Sequence, residues 1–595
     1  MQGVQKLMYR KSEVVEGVYA AKAPTGYVED IPLVKRRRVL VLGTDTRAFL
    51  ATIRSLGRSG LEVHVAWCPP DAPALQSRYV KQVHRVPLYC EDTSDWIESF
   101  QNLLRRQQFD LVLPIIDTAI LPLQLHRSEF EPLARFCLLP DDTYRLCSDK
   151  VETYKLAARE GIPLPRHRVV RNVGEALECA KEFGYPLVLK PRKSVMNQNP
   201  NVRQMVRKAP TELELCELAK QMTRNQEVLA VENFIGSGVG VEVLCKDGQI
   251  LTAFQHERIH EPMMGGGSSY RKSVPLHDGM YAATTRLMKA LRYSGVAMVE
   301  YKQNSSTGEW ILIEINARFW GSLPLSISAG LDFPRYLYEM LVEGRTVFPE
   351  AYRVGVFSRN WQDDIEWILA NRRADRNDPT LLSRPFWSVM IEIGNILRLR
   401  ESSDTLALDD PRPAWTDLAQ YFEEMVFRVL KMFRLYRWIE HRRLVRLYRS
   451  ARGVIVLCYG NICRSPFAEK LLDQVVTNKV VASAGTHLTT GRKSPPESTE
   501  AATAFGVDLL NHRSRVVTSE QLESADLIIV FDRRNWLAVR SMCPEVMARV
   551  AYLGAADTTE PLEIQDPFGN GIEQFHACYN RVRHLVEQLA RSVNA

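Results

Sequence analysis

Nine consecutive residues constrain this chain more than any other stretch: Cys458-Tyr459-Gly460-Asn461-Ile462-Cys463-Arg464-Ser465-Pro466. They follow Val454 to Leu457, an apolar run that reads as a buried strand, and they lead into Phe467 to Leu472 with helical spacing. Pro466 suits the first turn of a helix, where its missing N–H is no loss. Strand, short loop and helix in that order aim successive backbone N–H groups and the positive helix end at the loop's centre, a cradle for a dianion. The same field favours a thiolate at Cys458. Arg464 can fork two phosphoryl oxygens, and Ser465 is placed to hydrogen-bond the sulfur. Gly460 and Asn461 suit backbone positions with unusual dihedrals. Far downstream, Asp566 is fixed by Pro567 and can protonate a leaving oxygen, then activate water.

The rest of the chain must accommodate this motif. With 595 residues, 45% hydrophobic and 25% charged, it is neither disordered nor fibrous as a whole, and its length calls for about three to five domains. No apolar run approaches the ~20 residues of a transmembrane helix, and the first twenty residues lack the pattern of a signal peptide; a cytoplasmic protein is expected. Eleven scattered cysteines fit reduced thiols better than a disulfide framework. A net charge of +7 is mild for this length and implies no nucleic-acid partner.

Residues 1–37 have no periodicity and are expected to be a disordered tail ending in the basic run Lys35 to Arg38. From 38 to 130, strands such as Arg38–Leu42 and Asp110–Asp117 alternate with a helical pattern, predicting an α/β subdomain with a parallel sheet. Gly43 alone falls short of a dinucleotide fingerprint. From 131 to 350 the signals are those of an α+β region. A single long strand is expected over GVEVLCKDGQILTAFQHERI, and a hairpin turns at Asn304 to Gly308. Residues 351–452 read as a helical basic connector, irregular over 400–414 and then free of Pro and Gly from Ala414 to Arg452. That last stretch, with Arg428, Lys431, Arg434 and Arg437 among aromatics, admits three readings: a helix packed on a neighbouring domain, peripheral contact of 414–452 with anionic lipid, or a face for an acidic partner. Residues 453–595 form one more α/β domain.

Chemistry between 140 and 330 is dispersed. Ser148-Asp149-Lys150 opens a helix. Lys190 ends the strand PLVLK, and Glu232-Asn233-Phe234-Ile235 reads as a strand edge able to bind an adenine. Glu300 and Glu314 lie on strands joined by the hairpin. Asn316 shares a face with Glu314, and Arg318 follows on it. These hard oxygen donors suit Mg²⁺. In order and spacing, with Glu314-Ile315-Asn316-Ala317-Arg318 the most telling segment, residues 38–350 resemble the ATP-grasp superfamily. The resemblance implies that Lys150, Lys190, Glu232, Phe234, Ile235 and Arg318 bind ATP and that Glu300, Glu314 and Asn316 hold Mg²⁺. It also implies a ligase that activates a small carboxylate as acyl phosphate and joins it to an amine or thiol. The Gly236–Gly240 segment lacks the acidic ribose ligand many members have, the nearest being Glu242. The loop Met263 to Ser269, with Arg271, is either a closing flap or a plain hairpin.

The C-terminal motif, together with Ser483-Ala484-Gly485-Thr486, His512-Arg513-Ser514-Arg515, ADLIIVFD and Asp566-Pro567, resembles the low-molecular-weight protein tyrosine phosphatases over 453–595. It implies a four-stranded parallel sheet and cofactor-free hydrolysis of phosphotyrosine proteins. By position Cys458 is the nucleophile, Arg464 the phosphate clamp and Asp566 the general acid, while Gly460, Asn461, Ile462, Cys463 and Ser465 support the loop. Phe531 and Phe568 stand where the family commonly has Met and Tyr. Ile462 replaces the Thr of the phosphoarginine-specific branch, and Cys463 is either a redox partner of Cys458 or a packing residue. An arsenate reductase on this fold needs two relay cysteines, and Asp532 occupies one of those positions. The expected whole is an α/β multidomain fusion of two enzymes. The alternative keeps the ATP-grasp half as a nucleotide-binding regulator of the phosphatase without turnover.

Overall fold

The structure is a computed structural model that describes residues 37–594 except 45, 88, 90–93, 197–198, 225, 264–265, 376–377, 379–380, 382, 398–399, 476–478 and 488–489. The tail expected at 1–37 lies, but for Arg37, outside the described residues.

The first unit is a parallel sheet of strands Val80–His84, Glu62–Ala66, Arg38–Leu42 and Leu111–Pro114 in that spatial order. Val39 to Leu42 are wholly buried, which explains a run that is apolar on both faces. Helix Arg47–Arg58 packs behind it, its first turn capped by the Thr46 hydroxyl accepting from Phe49 N–H.

Helix Lys150–Arg159 is capped by Asp149, which accepts from the N–H groups of Val151 and Glu152. A small antiparallel sheet follows, ordered His167–Val170, Val228–Glu232, Leu187–Pro191 and Arg207–Ala209. Beside it stands a seven-stranded sheet: Trp310–Asn316, Gly295–Gln303, Ser237–Lys246, Gln249–His260, Tyr270–Ser273, Phe357–Arg359 and Glu401–Ser403. The segment read as one strand, GVEVLCKDGQILTAFQHERI, is two. The chain reverses at Asp247 (φ 51°) and Gly248 (φ 85°), the Asp-Gly pair that a tight hairpin with both central residues left-handed requires.

The last two strands of that sheet come from the stretch read as connector, so residues 357–403 extend the α+β region instead of leaving it. Buried charge explains the attachment. His260 stacks on Trp367 at 3.6 Å and is flanked by Asp364 at 2.7 Å and Glu392 at 2.8 Å. Arg359 bonds Asp364 and Glu401. Asp410, within the segment expected to be irregular, accepts from Arg54 Nε at 2.9 Å and from Ser77 Oγ at 2.7 Å, tying the chain back to the first unit.

Two helices follow, Arg412–Leu430 and Arg434–Ser450. Phe427, Leu444, Tyr448 and Ala451 are buried in one core with the C-terminal domain. That domain is a parallel sheet ordered Val480–Gly485, Gly453–Cys458, Leu527–Val530 and Val550–Tyr552. Helices Arg464–Val475 and Ile572–Asn594 pack together against it. All ten described cysteines are free thiols. Among the described residues no helix is long and apolar enough to cross a membrane.

Candidate functional site

Cys458 is the last residue of its strand and Arg464 the first of the following helix, so five loop residues curl between them. The Cys458 sulfur is buried, accepts from Asn461 N–H at 3.1 Å and lies 3.1 Å from Ser465 Oγ. Asn461 adopts φ 50°, the left-handed conformation its short amide tolerates. Its side-chain amide donates to Ser465 Oγ at 2.9 Å and to Ser483 Oγ at 2.8 Å, while its Oδ1 accepts from Arg515 N–H at 2.8 Å. His512 Nε2 lies 2.7 Å from the Asn461 carbonyl, and Arg492 donates to the Gly460 carbonyl at 2.6 Å. Gly485 ends the neighbouring strand; a Cβ there would stand 2.9 Å from Tyr459 O and 3.0 Å from Asn461 N. Ile462 and Cys463 are buried in the domain core. Burial pushes the Cys463 thiol well up and the Cys578 thiol up to about 12, so both are neutral donors near the cradle.

Arg464 is 1% exposed. Its Nη1 donates to Asp532 at 2.6 Å and to the Ile564 carbonyl at 2.8 Å, and its Nη2 donates to Asp566 at 2.6 Å. Burial alone would lower the guanidinium pKa; the charges of Asp566, Cys458 and Asp532 reverse this and raise it. Its Nε is buried without a hydrogen-bond partner among the described residues. Asp566 Oδ1 accepts from Phe568 N–H at 3.3 Å, and Phe568 stays exposed at the rim. Cys458, Arg464 and Asp566, 102 residues apart along the chain from Arg464 to Asp566, thus share one cradle and its mouth.

The second site is a cavity of about 520 Å³ between the small and the large sheet. All nine residues singled out there from the sequence line it: Lys150, Lys190, Glu232, Phe234, Ile235, Glu300, Glu314, Asn316 and Arg318. Glu300 and Glu314 face each other across paired strands. Arg258 donates to Glu300 at 2.8 Å; Asn316 donates to Glu314 at 3.0 Å and accepts from Arg318 at 3.0 Å. Burial would raise Glu314, but the ammoniums of Lys150 and Lys190 outweigh it and bring it to about 2. Burial lowers both lysines, partly offset by Glu314. Lys150 donates to Ser194 at 3.0 Å and Lys190 to Tyr154 at 3.2 Å. Glu232 accepts from Arg166 N–H at 2.8 Å and its Nε at 2.6 Å. Two carboxylates and an amide opposite buried lysines form a donor set that fits a divalent cation with phosphates.

Arg271 does not reach this cavity: it is fully buried and held by Asp404 and by the Gly321 carbonyl at 3.0 Å. Met264 and Gly265 of its loop lie outside the described residues, while Gly266 and Gly267 line the cavity. Glu242 is also turned inward, 2.5 Å from His256, where burial pushes its carboxyl well up. Sequence reasoning gave no role to Asp532, Arg492 and Gly485, or to Arg258 and Lys302, which also lines the cavity. Lys302 was within reach of it, two residues beyond Glu300 on the same strand face.

A family model described as low molecular weight phosphotyrosine protein phosphatase matches residues 453–595. Another, described as ATP-grasp in the biosynthetic pathway with Ter operon, matches residues 224–359. The low molecular weight protein-tyrosine-phosphatase Wzb of Salmonella typhi is 32% identical over 142 residues, 24% of this chain and 94% of that protein. The probable low molecular weight protein-tyrosine-phosphatase EpsP of Ralstonia nicotianae is 30% identical over 144 residues, 24% of this chain and 97% of that protein. Among solved structures, the tyrosine phosphatase AmsI of Erwinia amylovora is 27% identical with a TM-score of 0.23, covering 24% of this chain and 92% of that one. N5-carboxyaminoimidazole synthetase from Staphylococcus aureus, complexed with ADP, is 16% identical with a TM-score of 0.43, covering 53% and 79%. With an ATP-grasp region ahead of a domain that spans nearly the whole of these relatives, the chain belongs to the low-molecular-weight protein tyrosine phosphatase family.

Proposed function

We propose that the C-terminal domain hydrolyses phosphotyrosine through a phosphocysteine. The Cys458 sulfur attacks phosphorus, the ester P–O bond breaks, and Asp566 gives its proton to the departing phenolate oxygen. Asp566 then takes a proton from water, which attacks phosphorus and returns the sulfur. Arg464 holds two phosphoryl oxygens throughout, and Asn461 N–H with Ser465 stabilises the sulfur as leaving group. The observation that carries the reading is the single guanidinium joining the thiol's cradle to Asp566. That the named relatives are protein-tyrosine-phosphatases supports phosphotyrosine as the substrate class. The test is para-nitrophenyl phosphate hydrolysis without added metal. Wild type should turn over and Cys458→Ser should lose several orders of magnitude; a serine variant that keeps its rate overturns the reading.

The ATP-grasp region, on this reading, is an ATP-dependent carboxylate ligase. Glu300, Glu314 and Asn316 would hold Mg²⁺, which neutralises phosphate charge when bound. Lys150, Lys190 and Arg318 would grip phosphate oxygens; Glu232, Phe234 and Ile235 would flank the base. ADP release is measured with a panel of carboxylates and amines. ATP binding without ADP under every condition would leave a nucleotide-binding module and remove the ligase.

A further inference from the structure

Helix Arg412–Leu430 packs by Phe427, yet its opposite side is a continuous apolar stripe open to solvent. Trp415, Leu418, Phe422, Met425, Val429 and Met432 recur every three or four residues, and all are exposed, Phe422 by 64% and Met432 by 76%. Scattered exposed aliphatics need no explanation, but a contiguous stripe marks an interaction surface. In the next helix, Arg434–Ser450, the exposed Leu435 and Ile439 give way to Arg442 and Arg446 along one face.

A second stripe lies alongside. On helix Trp361–Arg373, Trp361, Ile365 and Leu369 are exposed. Gln362 donates to the Asp417 carbonyl at 2.9 Å and Glu366 pairs with Arg428 at 3.2 Å, so the two helices touch at two points that advance in the same direction along both. The exposed residues sit one position before those contacts on one helix and one position after on the other. At about 100° per residue, both stripes therefore emerge on the same side.

Charge identifies what meets this surface. Between Met425 and Arg452 there are nine Lys or Arg against the single acid Glu440, which is buried. Neighbouring acids are already engaged: Glu424 and Glu366 by Arg428, Glu423 by Arg533 and Arg540. Arg434, Arg442 and Arg446 are exposed and have no carboxylate partner among the described residues; Arg442 lies 4.9 Å over the Trp438 ring. An apolar crest with aromatics, bordered by unneutralised arginines, has the chemistry of an interfacial anchor. We infer that the helices 412–450, with the stripe on 361–373, seat this protein on an anionic phospholipid surface. The apolar side chains enter the headgroup boundary, and Arg434, Arg442 and Arg446 meet lipid phosphates and carboxylates.

The full chain is sedimented with vesicles of phosphatidylcholine alone or with one-third phosphatidylserine, at about 50 mM and about 500 mM salt, a range over which the screening length shortens severalfold. Binding is expected to the anionic vesicles and to fall at high salt. Phe422→Asp with Trp438→Asp, and separately Arg434→Glu with Arg446→Glu, should each weaken it at least about tenfold with unchanged circular dichroism. No sedimentation at low salt, equal binding to neutral vesicles, or variants that bind like wild type would each overturn the proposal. So would a dimer in sedimentation velocity that Phe422→Asp with Trp438→Asp dissolves while vesicles fail to bind, since the occupant would then be a second copy of the chain.

Discussion

Asp532 has two jobs that a single substitution separates. Its carboxylate accepts from Arg464 and also caps the next helix, taking Asn535 N–H at 2.8 Å. Asn caps about as well as Asp, so Asp532→Asn should leave the unfolding midpoint nearly unchanged. Trading a charge-assisted bond for a neutral one forfeits about 1 kcal/mol of orientation at Arg464, and kcat/KM for para-nitrophenyl phosphate should drop roughly fivefold to tenfold. Gly485 is less forgiving. The atoms its Cβ would strike are the backbone Tyr459 O and Asn461 N and the Asn461 Cβ, which moves only with its backbone, so the loop itself must yield. Gly485→Ala should therefore cost about 1–3 kcal/mol of stability and, by misplacing the nucleophile, on the order of a hundredfold in kcat. Asp566→Ala should slow turnover by roughly 10²–10⁴, and by much less for esters whose leaving group needs no proton. Steady-state kinetics on a series of aryl phosphates checks all three.

At the scale of strands and helices, the first sheet carries a built-in acid sensitivity. His64 Nδ1 and His84 Nε2 are 2.7 Å apart on adjacent strands. Burial first, then the neighbouring imidazole, brings His64 down to about 4, and burial lowers His84 as well. The unfolded chain titrates near the ordinary histidine value of about 6.5, so between these limits it binds more protons than the folded one. Stability is complete above about pH 6.5 and declines as pH falls towards 4. Hydrogen-exchange protection of the 62–66 and 80–84 amides, corrected for intrinsic rates, should drop between pH 7 and pH 5, and His84→Gln should flatten that dependence. Legibility follows the same physics. The Cys458 loop could be read because strand, loop, nucleophile and clamp are contiguous. Asp532 and Arg492 could not, since only tertiary packing brings them to Arg464 and Gly460. The turn was legible too: Asp247-Gly248 between apolar runs is a hairpin signal that the reading of one unbroken strand passed over. The strands Phe357–Arg359 and Glu401–Ser403 are three residues each, too short for any period to register.

For the whole molecule, helix Arg412–Leu430 and the Lys431 that ends it pair with residues close in sequence to both carboxylates that hold Arg464. Glu423 pairs with Arg533, next to Asp532, and Lys431 pairs with Glu563, three residues before Asp566. Phe427 lies 5.8 Å from Tyr552, and Leu444 and Tyr448 are wholly enclosed. Each such side chain contributes about 1.5–3 kcal/mol on burial. A fragment beginning at residue 453 should therefore unfold at clearly lower urea than one beginning at 411, with several kcal/mol between them, and should handle aryl phosphates less well per molecule. Equal midpoints for the two fragments would remove this expectation. Truncation where the motif begins cuts through packed aromatics instead of beside them. The smallest piece of this chain that carries its own interior is thus longer than the piece that carries its signature.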